Sequence, residues 1–235
     1  MAVDPAPTDL GLKVGRVAAP LRGQVLEVIR QAILDFRYKP GQRLIERELI
    51  EQTGVSRTTI REVLRELEAE GLVTTIPQKG AIVVVPTPEE AAELYEVRSA
   101  LEQLAVRNFV ARASDEQVAA LRRTAESFNE VVSDGGEDTQ ALLRAKDAFY
   151  DVLFEGAGNK QVSAILGSLQ ARVRMLRAAS MSNPDRGQKI ITELDALVAA
   201  IEARDADAAA HACAVHLGQA ESSGLRGISS YTPSA

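Results

Sequence analysis

The sequence predicts a mostly α fold in two parts, a three-helix head closed by a β-hairpin and an all-α antiparallel helical bundle behind it. Three observations carry this expectation. Apolar residues recur at helical spacing between residues 20 and 70. Two short β-prone runs flank the turn Pro77-Gln78-Lys79-Gly80. Beyond Thr87 the patterning is helical throughout.

Residues 1–18 hold Pro5, Pro7, Gly11 and Gly15 without periodicity and read as a flexible tail. The head spans 19–86. Leu21, Val25, Ile29, Ala32, Ile33 and Phe36 line one face of a first helix that ends in Tyr38-Lys39-Pro40-Gly41. A second helix over 46–53 contributes Leu49 and Ile50 and stops at Gly54, a residue that takes the left-handed conformation freely. Ser56 caps a third helix whose Ile60, Val63, Leu64 and Leu67 form one apolar stripe. Val73–Ile76 and 81–85 then make the hairpin. Three helices and a hairpin in this order make a winged helix-turn-helix.

The body spans 87–227, with a flexible tail over 228–235. Thr87 caps its first helix, Pro88 suits the first helical position and Glu90 closes a capping box. Helices are expected over 88–112, 115–132 (opened by Ser114 with Gln117), 139–155, 160–180, 186–203 and 206–221, parted by Ser133-Asp134-Gly135-Gly136 and Ser182-Asn183-Pro184. Short connections between them favour antiparallel neighbours.

Composition excludes several classes. Cys213 is the one cysteine, so neither a disulfide framework nor a thiolate zinc cluster exists. No apolar run approaches the ~18 residues of a spanning helix, and the first residues lack a secretory pattern, so a cytoplasmic protein without membrane contact is expected. No G-x-S-x-G, phosphate loop, dinucleotide fingerprint or His-Glu-x-x-His occurs, which argues against an enzyme. The net charge of -6 is unevenly distributed: 12 basic against 11 acidic residues in 1–85, and 15 against 22 in the rest. The acidity therefore belongs to the body, and the head is free to present a cationic face to phosphates.

That face is the front of the third helix. Arg57, Thr58 and Thr59 surround free backbone N–H groups at the positive end of the helix dipole, which suit phosphate oxygens. Arg61, one turn on, is long enough to donate two hydrogen bonds to a guanine edge in the major groove. Arg47 on the preceding helix and Lys79 with Gly80 at the hairpin tip flank it. The alternative is a solvated face on which Arg61 and Arg65 pair with Glu62 or Glu66.

The run IERELIEQTGVSRTTIREVLRELEAEGLVTTIPQKGAIVV resembles the DNA-binding domain of the GntR family of bacterial regulators, whose signature is close to E-x-x-L-x-x-x-x-G-V-S-R-T-x-V-R-E-A-L-x-x-L-x-x-x-G-L-V. The resemblance implies DNA contact by Arg47, Arg57, Thr58, Thr59 and Arg61, with Lys79 and Gly80 in the wing. Ile60 and Val63 stand where the family often has Val and Ala, which keeps that side apolar. ELYEVRSALEQLAVRNFVARAS, FYDVLFEGAGN and IEARDADAAAHACAVHL resemble the all-helical effector domain of the FadR-type subfamily, the FCD domain.

Many such domains hold a divalent metal through one Asp and three His, and the metal helps to hold a small carboxylate. This chain departs from that pattern. It reads Lys146-Asp147-Ala148-Phe149-Tyr150 where the family has D-x-x-F-H, and Glu193-Leu194 where it has E-H; only His216 survives. One imidazole cannot hold a dication, so no metal and no cofactor is expected. Asp147, about 100° round its helix from the ligand position, should point away from the Tyr150 face, and His211 diverges from His216.

In place of a metal, Lys146 and Tyr150 share a helix face and can supply a charge and a hydroxyl. Arg98, between Leu94 and Leu101, and Arg172, between Leu169 and Leu176, lie on apolar stripes where an unpaired guanidinium is costly. With His216 they suggest a pocket for a carboxylate or other small anionic metabolite. Each has a plainer reading: Arg98 pairs with Glu102, Arg172 lies at a dimer interface, His216 is a satisfied core histidine. The expected function is a DNA-binding transcriptional regulator acting on duplex operator DNA as a homodimer, with the resemblance implying repression relieved by a metabolite. A ligand-independent dimer whose bundle serves only dimerisation is the alternative.

Overall fold

The computed structural model describes residues 19–134, 138–181, 183 and 185–229; the expected tail over 1–18 and residues 230–235 lie outside them. The head comprises α1 (Ala19–Leu34), β1 (Arg43–Leu44), α2 (Glu46–Thr53), α3 (Arg57–Ala69), β2 (Val73–Ile76) and β3 (Gly80–Val83). α2 stops at Gly54, whose φ of 71° lets its N–H reach the Ile50 carbonyl. Ser56 Oγ accepts the Thr59 N–H at 3.2 Å and starts α3. The two caps fix the angle between α2 and α3.

The sheet is antiparallel in the order β1-β3-β2, with Arg43 opposite Ile82 and Thr75 opposite Ala81. β1 was not expected, because two residues carry no period. β3 begins one residue earlier and ends two residues earlier than the periodicity suggests: Gln78 and Gly80 both have positive φ, which tightens the turn so that Gly80 already pairs with Ile76. Ile29, Ile33, Leu49, Ile60, Val63, Leu67 and Leu72 are buried together beneath this frame.

The body comprises α4 (Pro88–Arg112), α5 (Asp115–Ser133), α6 (Thr139–Ala157), α7 (Lys160–Met181), α8 (Arg186–Glu202) and α9 (Ala206–Ser229). Thr87 with Glu90 and Ser114 with Gln117 form complete capping boxes on α4 and α5. α9 continues beyond the expected 221 to Ser229, and Ile228 is buried with Tyr95, Leu176 and Ala220. Ser222-Ser223-Gly224 looks like a breaker in sequence, but here small residues permit close packing. A Cβ on Gly227 would stand 2.0 Å from the Ala179 carbonyl oxygen, so α7 and α9 meet backbone to backbone.

α7 also joins the two parts. Met175 is buried in the head's core, while Arg174 Nε donates to the Leu34 carbonyl at the end of α1 at 3.2 Å. Among the described residues, no helix is long and apolar enough to cross a membrane.

Candidate nucleic-acid interface and bundle pocket

α3 buries Ile60, Val63, Leu64 and Leu67 and turns Arg57, Thr58, Arg61 and Arg65 to solvent. A groove of about 600 Å³ runs beside it, bordered by Arg43, Arg47, Arg57, Arg61, Arg65 and one acid, Glu46. Five guanidinium groups against a single carboxylate make a face that attracts phosphates. Arg61 Nε donates to Glu46 at 2.9 Å, so its partner lies on α2 and is neither Glu62 nor Glu66. Arg47 stands 3.8 Å from Glu51. Both pairs are exposed, and such pairs contribute little that a phosphate could not replace.

Arg57 forms no salt bridge with any described residue and lies in the first turn, beside the free N–H groups of α3. Thr59 is half-buried, its hydroxyl 3.0 Å from that of Ser56, so these two residues shape the turn while Thr58 faces outward. Lys79 is exposed at the hairpin tip, and the Arg43 guanidinium lies 3.7 Å from where a Gly80 Cβ would stand. Arg43 was not anticipated, since β1 was invisible; the basic residue before a buried Leu44 was the available signal.

In the body, Arg98, Lys146 and His216 come together round a small chamber that Arg177, Ser180 and Arg186 complete. Lys146 Nζ lies 2.8 Å from His216 Nε2, and His216 Nδ1 lies 2.5 Å from Glu193. The tautomer consistent with both contacts has Nδ1–H donating to the carboxylate and Nε2 accepting from Lys146. Arg186 makes a two-pronged pair with Glu193 at 2.6 and 2.9 Å. Tyr150, expected in the same pocket, does not line the chamber but borders a neighbouring cavity, with Arg177 4.0 Å above its ring and Lys146 Nζ at 5.4 Å.

Burial governs the protonation here. It lowers Lys146 well below the usual ammonium range, and Arg177, Arg98 and Arg186 lower it further. Burial first, and Lys146 second, push His216 down to about 4. A histidine bound neutral in the fold stabilises it fully above the unfolded value of 6.5 and loses that contribution as pH falls towards 4. The amount is on the order of 3 kcal/mol. Melting temperature should therefore fall between pH 6.5 and 4.5 in the native chain, and a His216→Gln variant should show a flatter profile over the same interval.

Two further expectations are corrected. Arg172 is exposed, with its side chain against Gly71 of the head, beside a groove between head and body. α7 packs on the head as well as on the bundle, so Arg172, flanked by apolar residues in sequence, lies outside the chamber. Asp147 does not point away from the Tyr150 face: both residues border a second cavity, outside the chamber, and Asp147 accepts from Arg174 at 2.5 Å and Arg177 at 2.7 Å. Those two arginines, one turn apart on α7, draw the carboxylate inward. Arg98 pairs with Glu102 at 2.8 Å, both about 1% exposed. Arg177 and Arg186 were missed; only their apolar neighbours in sequence hinted at burial.

The metal site that the resemblance implies does not fit these residues. Lys146 covers the imidazole nitrogen that would face an ion. Among the described residues, no group of three or more His, Cys, Asp or Glu could hold one.

Comparison with known proteins decides the family. The model for bacterial regulatory proteins of the gntR family matches residues 21–83, and that for the FCD domain matches 93–219. The chain belongs to the GntR family. It is 33% identical over 144 residues to the Nta operon transcriptional regulator of Aminobacter aminovorans, covering 61% of this chain and 67% of that one. It is 22% identical over 198 residues to the HTH-type transcriptional repressor RspR of Escherichia coli (strain K12), covering 84% and 86%. The crystal structure of a GntR regulator from Rhodococcus sp. RHA1 shares the fold, with a TM-score of 0.74 at 24% identity over 87% of this chain and 97% of that one. This GntR protein is a DNA-binding transcriptional regulator, with a winged helix-turn-helix head and an FCD body, and not an enzyme.

Proposed function

We propose that the protein is a cytoplasmic, homodimeric repressor whose operator affinity is set by a small organic anion, a carboxylate by preference, bound in the bundle without a metal. The DNA half of this reading rests on the five-arginine groove along α3. A dimer would set two such helices on half-sites about 34–36 Å apart, or a multiple of that. Arg47, Arg57, Thr58, Arg61 and Lys79 would make the contacts, with Ser56, Thr59 and Gly80 holding the backbone that presents them.

The anion half rests on two orphaned donors. Arg98 Nη1 and Arg177 Nε are buried without a hydrogen-bond partner, and both residues border the chamber with Lys146 and Arg186. A carboxylate supplies the missing acceptors and returns the proton to Lys146. The chamber as it stands has about 10 Å³, room for one water-sized group. Binding therefore moves Lys146 off His216. Its consequences reach the head through Asp147, which takes Arg177 of the chamber and Arg174, whose other bonds go to Gln140 on α6 and to Leu34 and Asp35 at the end of α1. A coupling of ~1–3 kcal/mol is the usual scale for such an arrangement.

Thermal melts of the full chain with a panel of small mono- and dicarboxylates test this. At 100 times its Kd, a ligand specific for the folded state raises stability by about 2.7 kcal/mol. The expected result is such a rise for at least one carboxylate, and its loss in Lys146→Met, which keeps the side-chain volume and should fold at least as well without ligand. A response left whole in Lys146→Met, or none to any carboxylate, would overturn the anion reading and favour the bundle as a dimerisation device alone.

A further inference from the structure

Outside the chamber, between α4, α6 and α7, lies a second and larger cavity of about 330 Å³. Its charge is of the opposite sign. Glu102, Asp147, Asp151 and Glu155 border it, against the single cation Arg177. That cation is already engaged, pairing with Asp147 at 2.7 Å and lying over the Tyr150 ring; Arg174 also takes Asp147 and Arg98 takes Glu102, so the acids left without a salt bridge to any described residue are Asp151 and Glu155. Arg98 and Glu102 form the wall between the two spaces. Arg98 borders the inner one and has Nη1 unpartnered; Glu102 borders the outer one and has Oε2 unpartnered, although the residue is only 1% exposed.

We infer that the outer cavity is a binding site for an organic cation, a protonated amine carried on an apolar body of about ten heavy atoms or fewer. The buried Glu102 Oε2 lacks a donor, which an ammonium N–H supplies. Asp151 stands at the mouth without a salt bridge to any described residue, and partial burial together with the Asp147 charge pushes its carboxyl pKa upward. A bound cation relieves both. The rest of the lining suits the body of such a ligand: Phe154 and Tyr150 present rings with centroids 5.5 Å apart, and Leu166 and Val173 close the floor. A bare metal ion is the poorer occupant, because no group of described carboxylates converges as ligands would.

The inference does not rest on the anion reading, and its test keeps the two apart. Phenethylammonium, its neutral counterpart 2-phenylethanol and the anion 3-phenylpropionate are titrated into the full chain by calorimetry. The ammonium should bind at least ~10-fold more tightly than the alcohol, a difference of about 1.4 kcal/mol. Asp151→Asn with Glu155→Gln, both exposed and free to be changed without harm to the core, should weaken the ammonium about 3- to 10-fold and leave the alcohol unchanged. Lys146→Met should keep the ammonium response while losing any carboxylate response of the inner chamber. No ammonium binding at millimolar concentration, equal binding of the alcohol, tightest binding of the anion, or indifference to the double substitution would each overturn it.

Discussion

Replacing Arg57 and Arg61 together with alanine is expected to lower affinity for the DNA upstream of the protein's own gene by a factor on the order of 10² to 10⁴, with no loss of melting temperature. The two side chains act differently. In the proposed complex Arg61 leaves Glu46 for a base edge, where a two-pronged contact to guanine is worth ~1–3 kcal/mol. Arg57 sits where the helix dipole and free N–H groups already favour a phosphate, so its removal should weaken all sequences alike and reduce the salt dependence. Folding should be untouched, because both side chains are exposed and the one bond lost, from Arg61 to Glu46, is a surface pair. Anisotropy titrations across a salt series, with the single variants alongside, separate the two roles. Unchanged affinity in the double variant would remove α3 from the DNA and with it the proposed contacts.

The head was legible in sequence because its signals are local. Ser56 and Gly54 announce the ends of α3 and α2 through caps, and Ile60, Val63, Leu64 and Leu67 announce the buried side through period. What escaped was what local pattern cannot carry. β1 is two residues long and exists because β3 is beside it. Arg172 was assigned to the bundle interior because its neighbours are apolar, yet some of those neighbours serve the head: Met175, one turn on, is in the head's core. Lys146 and His216 were linked only through a family resemblance, and the structure sets them 2.8 Å apart from helices 70 residues distant in sequence. Arg177 and Arg186 had no such thread. Their importance lies in charges that meet only when α6, α7, α8 and α9 are packed.

The second large effect is expected at Glu102. Glu102→Leu leaves the Arg98 guanidinium buried and unpaired, and breaking a buried pair in this way costs about 3–5 kcal/mol. Adding Arg98→Met should restore most of that loss, since two apolar side chains of similar volume need neither desolvation nor a partner. Urea denaturation of the native chain, both single variants and the double variant measures the coupling directly. A double variant no more stable than Glu102→Leu would show that the pair stabilises the bundle in its own right. The geometry argues otherwise: each partner offers one bonded atom and keeps another buried atom without a partner, Arg98 Nη1 on one side and Glu102 Oε2 on the other. A pair half-satisfied in a dry core is a weak stabiliser. Its open valences border two cavities of opposite charge, so the double variant should be stable yet lose both the carboxylate response of the inner chamber and the ammonium preference of the outer one. Stability and ligand response would then be separated at a single pair of residues, which a purely structural role for the bundle does not allow.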